Sequence, residues 1–164
     1  MFINDNVLKA IEAYPANKDM SSKKWQVYAA GGWFSASKKL ALDMLKDAVA
    51  ELGLVAYIPE VDSPQIGVNP TEEERQENFD CNLEAIKSSC MVIASTEGLD
   101  SGTIWECGYA SALGIPVFGF APLLPEGVKF NLMLAQSMEE VFLSKEAMID
   151  YFKNGVKPSR VEAC

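Results

Sequence analysis

From Trp25 onward, short apolar bursts alternate with helical patterns, and this alternation leaves the chain few folds to choose from. The spacing predicts strands over 26–30, 54–58, 90–95, 116–120 and 140–143. Between them it predicts four helices. The first, 35–52, carries Leu40, Met44, Leu45, Ala48 and Leu52 on one face and stops at Gly53. The second is opened by Pro70-Thr71, where Thr71-x-x-Glu74 reads as a capping box. The others are 103–113, ended by Gly114, and a closing helix over 145–153. Strand–helix alternation of this kind gives a parallel sheet with helices on both faces, and the apolar middle of 90–95 fits a doubly covered strand. The expected class is therefore α/β: a flavodoxin-like, doubly wound five-stranded parallel sheet. Ligands of such sheets bind at the carboxyl ends of the strands, which directs attention to loops 31–35, 59–69, 96–102 and 121–131.

A chain of 164 residues can bury a core without disulfides and suits one domain with a short appendage. Residues 1–24 read as that appendage: Val7, Ala10, Ile11 and Tyr14 follow helical spacing, and Pro15 with the polar run 17–24 ends it. Residues 25–164 then form the main domain. Against 23 acidic residues stand 14 basic ones, a net charge of −9, which argues against a protein that grips a nucleic-acid backbone but not against a small nucleoside ligand. The chain has no histidine, so His triads, His general bases and most catalytic zinc sites are excluded. Cys81, Cys90, Cys107 and Cys164 form no C-x-x-C pair and read as free thiols of a cytoplasmic protein. The longest nearly apolar stretch, 115–124, is broken by Pro116, Gly119 and Pro122 and falls well short of the about 20 residues a spanning helix needs. Asp5, Lys9 and Glu12 inside the first apolar pattern argue against a signal peptide.

Several residues could carry chemistry. The first strand runs into Gly31-Gly32-Trp33-Phe34: either a tight turn, or a place where backbone N–H groups approach a planar ligand. Glu106 lies near the start of a helix among apolar or small neighbours, with Asp100 just ahead of it. It either complements the helix dipole at an exposed end, or is a functional carboxylate, since burying it costs several kcal/mol unless it is paired. With no histidine and no evident metal set, the available chemistry narrows, and carboxylates can act as nucleophile, acid or base at an anomeric carbon. Magnesium held by Asp62, Asp80, Asp100 and Glu106 has no supporting spacing. On the helix whose buried side is read as Phe79, Leu83 and Ile86, Asn82 falls about 60° from the centre of that side, at about 100° per residue, so it can point inward or remain a helix-edge amide. Asn131, leading the apolar run Leu132-Met133-Leu134, is a cap or turn residue, or a group aimed at a ligand.

Taken together, four segments resemble the nucleoside 2-deoxyribosyltransferase family: Val27 to Phe34, Asn82 to Ile86, the Asp100…Glu106-Cys107-Gly108-Tyr109-Ala110 block, and Phe130 to Met133. The resemblance covers 26–142. It implies a flavodoxin-like fold and base exchange between 2′-deoxyribonucleosides by double displacement at C1′, with no metal or organic cofactor. It further implies Glu106 as the nucleophile, Tyr28 as its orienting partner and Asp100 as a catalytic carboxylate that helps bind substrate and assists protonation of the base, the proton otherwise coming from a water where Asn82 replaces an acid. Ala30, Gly31, Gly32 and Trp33 would face sugar and base, Asn82 the base, and Asn131 the 5′-hydroxyl of a neighbouring subunit's substrate in a homo-oligomer. Partners would be deoxynucleosides and free nucleobases, not a nucleic-acid polymer or a membrane. Asn82 departs from the aspartate of the best-known bacterial members, and the tail 154–164 does not match theirs. Two alternatives stand beside this reading. One is an N-glycosidase acting on nucleosides or their 5′-monophosphates, with Ser35, Ser37, Lys38 and Lys39 near enough to hold a phosphate. The other is a non-catalytic nucleotide sensor.

Overall fold

The computed structural model describes residues 4–164, so the expected appendage over 1–24 begins outside the described residues. Five strands form one parallel sheet in the order β2-β1-β3-β4-β5. They are β1 (Trp25–Ala30), β2 (Ala56–Tyr57), β3 (Ser89–Ser95), β4 (Val117–Phe120) and β5 (Val141–Phe142). The helices are α1 (Asp5–Glu12), α2 (Ala36–Glu51), α3 (Pro59–Asp62), α4 (Glu72–Lys87), α5 (Ser101–Ala112), α6 (Leu132–Ser137) and α7 (Lys145–Asn154). The doubly wound topology expected from the alternation is the one observed. Among the described residues, no helix is long and apolar enough to cross a membrane.

Strand alternation divides the interior into two cores. Val27 and Ala29 of β1, with Met91, Ile93, Phe118 and Phe142, face α1, α2 and α7. Tyr28 and Ala30, with Val92, Ala94 and Val117, face α4 and α5. Register sets Tyr28 beside Val92 of β3 and Tyr57 of β2. The first core also takes Val7 and Ile11 of α1, and Asn17 behind it donates from Nδ2 to the carbonyls of Ile11 and Cys90, 2.9 Å each. The N-terminal helix is thereby tied to the central strand.

Some expectations are corrected. The buried face of α2 consists of Ala41, Leu42, Leu45, Ala48 and Val49, while Leu40 is 53% exposed. The stretch read as a polar loop after the second strand begins with α3, because a proline that ends a strand equally well opens a helix at its first position. The C-terminal tail lies beside Phe130, whose N–H donates to the Glu162 carbonyl at 2.7 Å.

Ile11 is buried in the core opposite the α4–α5 face. Ile11→Ala should therefore cost about 2–5 kcal/mol of stability, read by urea unfolding, while leaving any activity on the other face intact well below the unfolding midpoint.

Candidate active site

Between α4 and α5 lies a cleft of about 350 Å³ lined by Phe79, Asn82, Leu83, Gly102, Trp105 and Glu106. Glu106 is in the second turn of α5, and its Oε1 accepts a 2.6 Å hydrogen bond from the Tyr28 hydroxyl, which reaches across from β1. Burial pushes the Glu106 carboxyl up to about 7; the Tyr28 hydrogen bond opposes the rise and the Asp100 charge adds to it. Burial, followed by the nearby Glu106, raises the Tyr28 phenol well above its ordinary value, so it stays a donor. Burial also pushes the neighbouring Cys107 thiol up to about 12, which leaves that sulfur a poor nucleophile.

Asp100 caps α5. Its carboxylate accepts from the Thr103 N–H at 3.2 Å, the Thr103 hydroxyl at 3.1 Å and Lys38 Nζ at 3.0 Å. Partial burial works against the anion, but Lys38 and Thr103 outweigh it and hold the carboxyl below its ordinary value. Gly32 is glycine for a packing reason: a Cβ there would sit 2.8 Å from Asp100 Oδ1. Gly31 likewise lies against Leu42 and Ser95. Ala30 and both glycines are buried, and Trp33 packs on Phe34 with ring centroids 4.9 Å apart.

Asn82 Oδ1 accepts from the hydroxyls of Ser63 at 2.6 Å and Tyr57 at 3.1 Å. The Tyr57 ring stacks on Tyr28 at 5.6 Å. Asn131 stands apart: its Oδ1 caps α6 by accepting the Leu134 N–H at 3.1 Å, and it borders a separate depression with Thr96, Leu124 and Phe130. The structure thus gathers Asn82 and Glu106 in one cleft, with Tyr28 buried behind Glu106, sets Asp100 against Gly32 at the N-terminal end of α5, and leaves Asn131 elsewhere on this subunit. Asp62 and Asp80 do not join them: Asp62 accepts the Ile58 N–H and Asp80 the Gln76 amide.

Sequence reasoning missed Tyr57, Ser63 and Asn78, and weighed Lys38 only as a phosphate ligand. It also took Phe79 and Leu83 for core. Phe79 is 45% exposed and lies 5.7 Å from Trp105, so the two aromatic rings form cleft wall.

Residues 27–133 match the profile of the family described as nucleoside 2-deoxyribosyltransferase. The chain belongs to the nucleoside 2-deoxyribosyltransferase family. It is an enzyme of that type, as a similar solved structure also indicates: a 2-deoxyribosyltransferase from the psychrotolerant bacterium Bacillus psychrosaccharolyticus, 25% identical, with a TM-score of 0.69 over 81% of this chain and 98% of that one. A conserved protein from Enterococcus faecalis V583 shares the fold at 16% identity and a TM-score of 0.50, over 84% of this chain and 89% of that one. A comparison with curated protein sequences finds no match.

A carboxyl raised from 4.5 to about 7 weakens the folded state above neutrality. Below about pH 4.5 Glu106 is protonated folded and unfolded and carries no such cost; the cost grows as pH rises and is complete above about 7. Glu106→Gln should therefore raise the unfolding free energy at pH 8, by at most about 3 kcal/mol, and leave it nearly unchanged at pH 4. Thermal unfolding of both proteins at the two pH values checks this.

Proposed function

We propose that this enzyme exchanges the base of 2′-deoxyribonucleosides through a covalent deoxyribosyl ester on Glu106. The observation that carries the reading is the Tyr28–Glu106 hydrogen bond at the floor of an aromatic-walled cleft. Tyr28 holds Oε1 and leaves Oε2 to attack C1′. The C1′–N bond breaks, the base departs, and a second base attacks the same carbon to release the carboxylate. Two displacements retain the configuration at C1′, the outcome of nucleophilic carboxylates in glycoside chemistry. Asp100, an anion at the cleft edge, accepts a sugar hydroxyl. The Ala30–Trp33 turn flanks the sugar, Asn82 meets the base, and no metal or organic cofactor takes part. The site of action is the cytoplasm.

The charge pairing favours nucleosides over nucleoside monophosphates. Lys38 is spent on Asp100, and Lys39 bonds Asp43 at 2.6 Å and Glu60 at 2.8 Å, so neither lysine is a free phosphate ligand. Incubation with a deoxynucleoside and a second free base should yield the new deoxynucleoside; free deoxyribose alone would indicate an N-glycosidase. Glu106→Ala should lose activity to below about a tenth of wild type, a cost of more than about 1.4 kcal/mol in transition-state stabilisation. Retention above that level contradicts the mechanism.

The enzyme works as a homo-oligomer with shared sites. Leu132 and Met133, 47% and 76% exposed, adjoin Asn131 at the carboxyl end of the sheet, and apolar surface of this kind suits an interface. Because Asn131 Oδ1 caps α6, its Nδ2 remains to donate to a neighbour's substrate at the 5′-hydroxyl. Inactive Glu106→Ala and Asn131→Ala subunits, mixed under conditions of proven exchange, should recover activity. A catalytically active monomer in sedimentation contradicts the shared site.

A further inference from the structure

The polarity of the Asn82 amide is fixed by groups remote from the cleft. Asn78 Nδ2 donates to the Pro64 carbonyl at 2.7 Å, and a backbone carbonyl can only accept. Asn78 must therefore turn its Oδ1 toward Asn82, whose Nδ2 donates to it at 3.4 Å. That orientation in turn directs Asn82 Oδ1 at the hydroxyls of Ser63 and Tyr57, which both donate to it. Flipping Asn82 would oppose its amide oxygen to that of Asn78. The acceptor of Asn82 is committed, and its remaining N–H, without a partner among the described residues, is what the residue offers the cleft.

The other groups near a departing base are no better as proton sources. Asp100 is an anion locked to Lys38 and Thr103. Tyr28 has its proton on Glu106, and Tyr57 has its own between Asn82 Oδ1 at 3.1 Å and Ser63 Oγ at 3.2 Å. Glu106 must itself be ionised to attack. Cys107 points into the core beside Ala110. The chain has no histidine.

We infer that this protein delivers no proton to the leaving base, and that its substrates are deoxynucleosides whose base departs as a resonance-stabilised anion, the oxo bases of uracil, thymine and hypoxanthine type, in preference to amino bases of cytosine type. The inference rests on the transferase reading above and narrows its substrate class. In the first step the glycosidic electron pair leaves with the base nitrogen, Glu106 oxygen bonds C1′, and the base anion accepts the Asn82 hydrogen bond before taking a proton from water. In the second step the incoming base attacks as its anion, having lost its N–H proton to water, and the ester bond breaks to return the carboxylate. By reversibility the same bases that leave well are the ones that enter well.

Two measurements test it. The first is kcat/KM for 2′-deoxyuridines bearing hydrogen, methyl, bromine or fluorine at position 5, with one fixed acceptor base. Without proton delivery the rate constant should fall about fivefold or more per unit rise in the pKa of the leaving base. A dependence shallower than about twofold per unit, with exchange intact, overturns the inference and leaves the transferase reading standing; no exchange with any nucleoside overturns both. The second uses Asn82→Asp. One oxygen of the new carboxyl takes over the Ser63 and Tyr57 bonds, and the other, protonated, stands where the Asn82 Nδ2 stood, between Asn78 Oδ1 and the cleft, so its single O–H can turn from Asn78 to a departing base. The variant therefore places an acidic proton at the cleft, and it should flatten the dependence and speed 2′-deoxycytidine relative to 2′-deoxyuridine. A folded Asn82→Asp enzyme with the wild-type slope overturns the inference.

Discussion

Everything at the cleft depends on one hydrogen bond that spans two layers of the fold, from the Tyr28 hydroxyl on the sheet to the Glu106 carboxylate on α5. The sheet makes it possible. Parallel pairing places Tyr28 in the buried middle row, between Tyr57 and Val92, so its ring cannot turn away. The ring is pinned further by stacking on Tyr57. Its hydroxyl emerges where α5 crosses the strand, at the one carboxylate of that helix, and the buried residues of α5, Thr103, Cys107 and Ala110, are small enough to let it lie close. Without the phenol, Glu106 would be a partly buried charge with nothing to compensate it.

The electrostatics around this pair set the two carboxylates apart. Asp100 caps the helix that carries Glu106, yet one carboxyl is held low and the other is pushed up. The cause is local: a lysine and a capped helix end stabilise the Asp100 anion, whereas apolar walls and a single phenol surround Glu106. Such separation assigns roles. In the proposed mechanism the Asp100 anion serves substrate binding, and Glu106, a carboxylate with raised basicity, is the nucleophile at C1′. The rise is also a stability cost carried by the folded chain, as functional sites commonly carry.

Much of this was legible in the sequence where the governing physics is local. The capping box closes as read, with Glu74 Oε2 accepting the Thr71 N–H at 2.7 Å and Thr71 Oγ1 the Glu74 N–H at 3.2 Å. The strand–helix rhythm led to the right sheet. Helical periodicity misled where it could not tell a core from a cleft: Phe79 and Leu83 are apolar because they wall a cavity, and Leu40 is apolar and exposed. The Tyr57–Ser63–Asn82–Asn78 network was illegible because it joins a strand, a loop and a helix whose meeting only the sheet order decides. Lys38 belongs to the same class, since its partner lies 62 positions away. The sixth helix escaped notice because its six residues leave too short a pattern, although Asn131 was recognised as a possible cap.

The central claim is that Glu106 becomes esterified to the sugar, and mass spectrometry of the quenched enzyme tests it most directly. Enzyme mixed with a deoxynucleoside in the absence of acceptor base and quenched in acid should gain the mass of one deoxyribosyl group, and peptide fragmentation should place it on Glu106. Adding free base before the quench should remove the adduct and produce the new nucleoside. Base release with no adduct, or an adduct on another residue, contradicts the account.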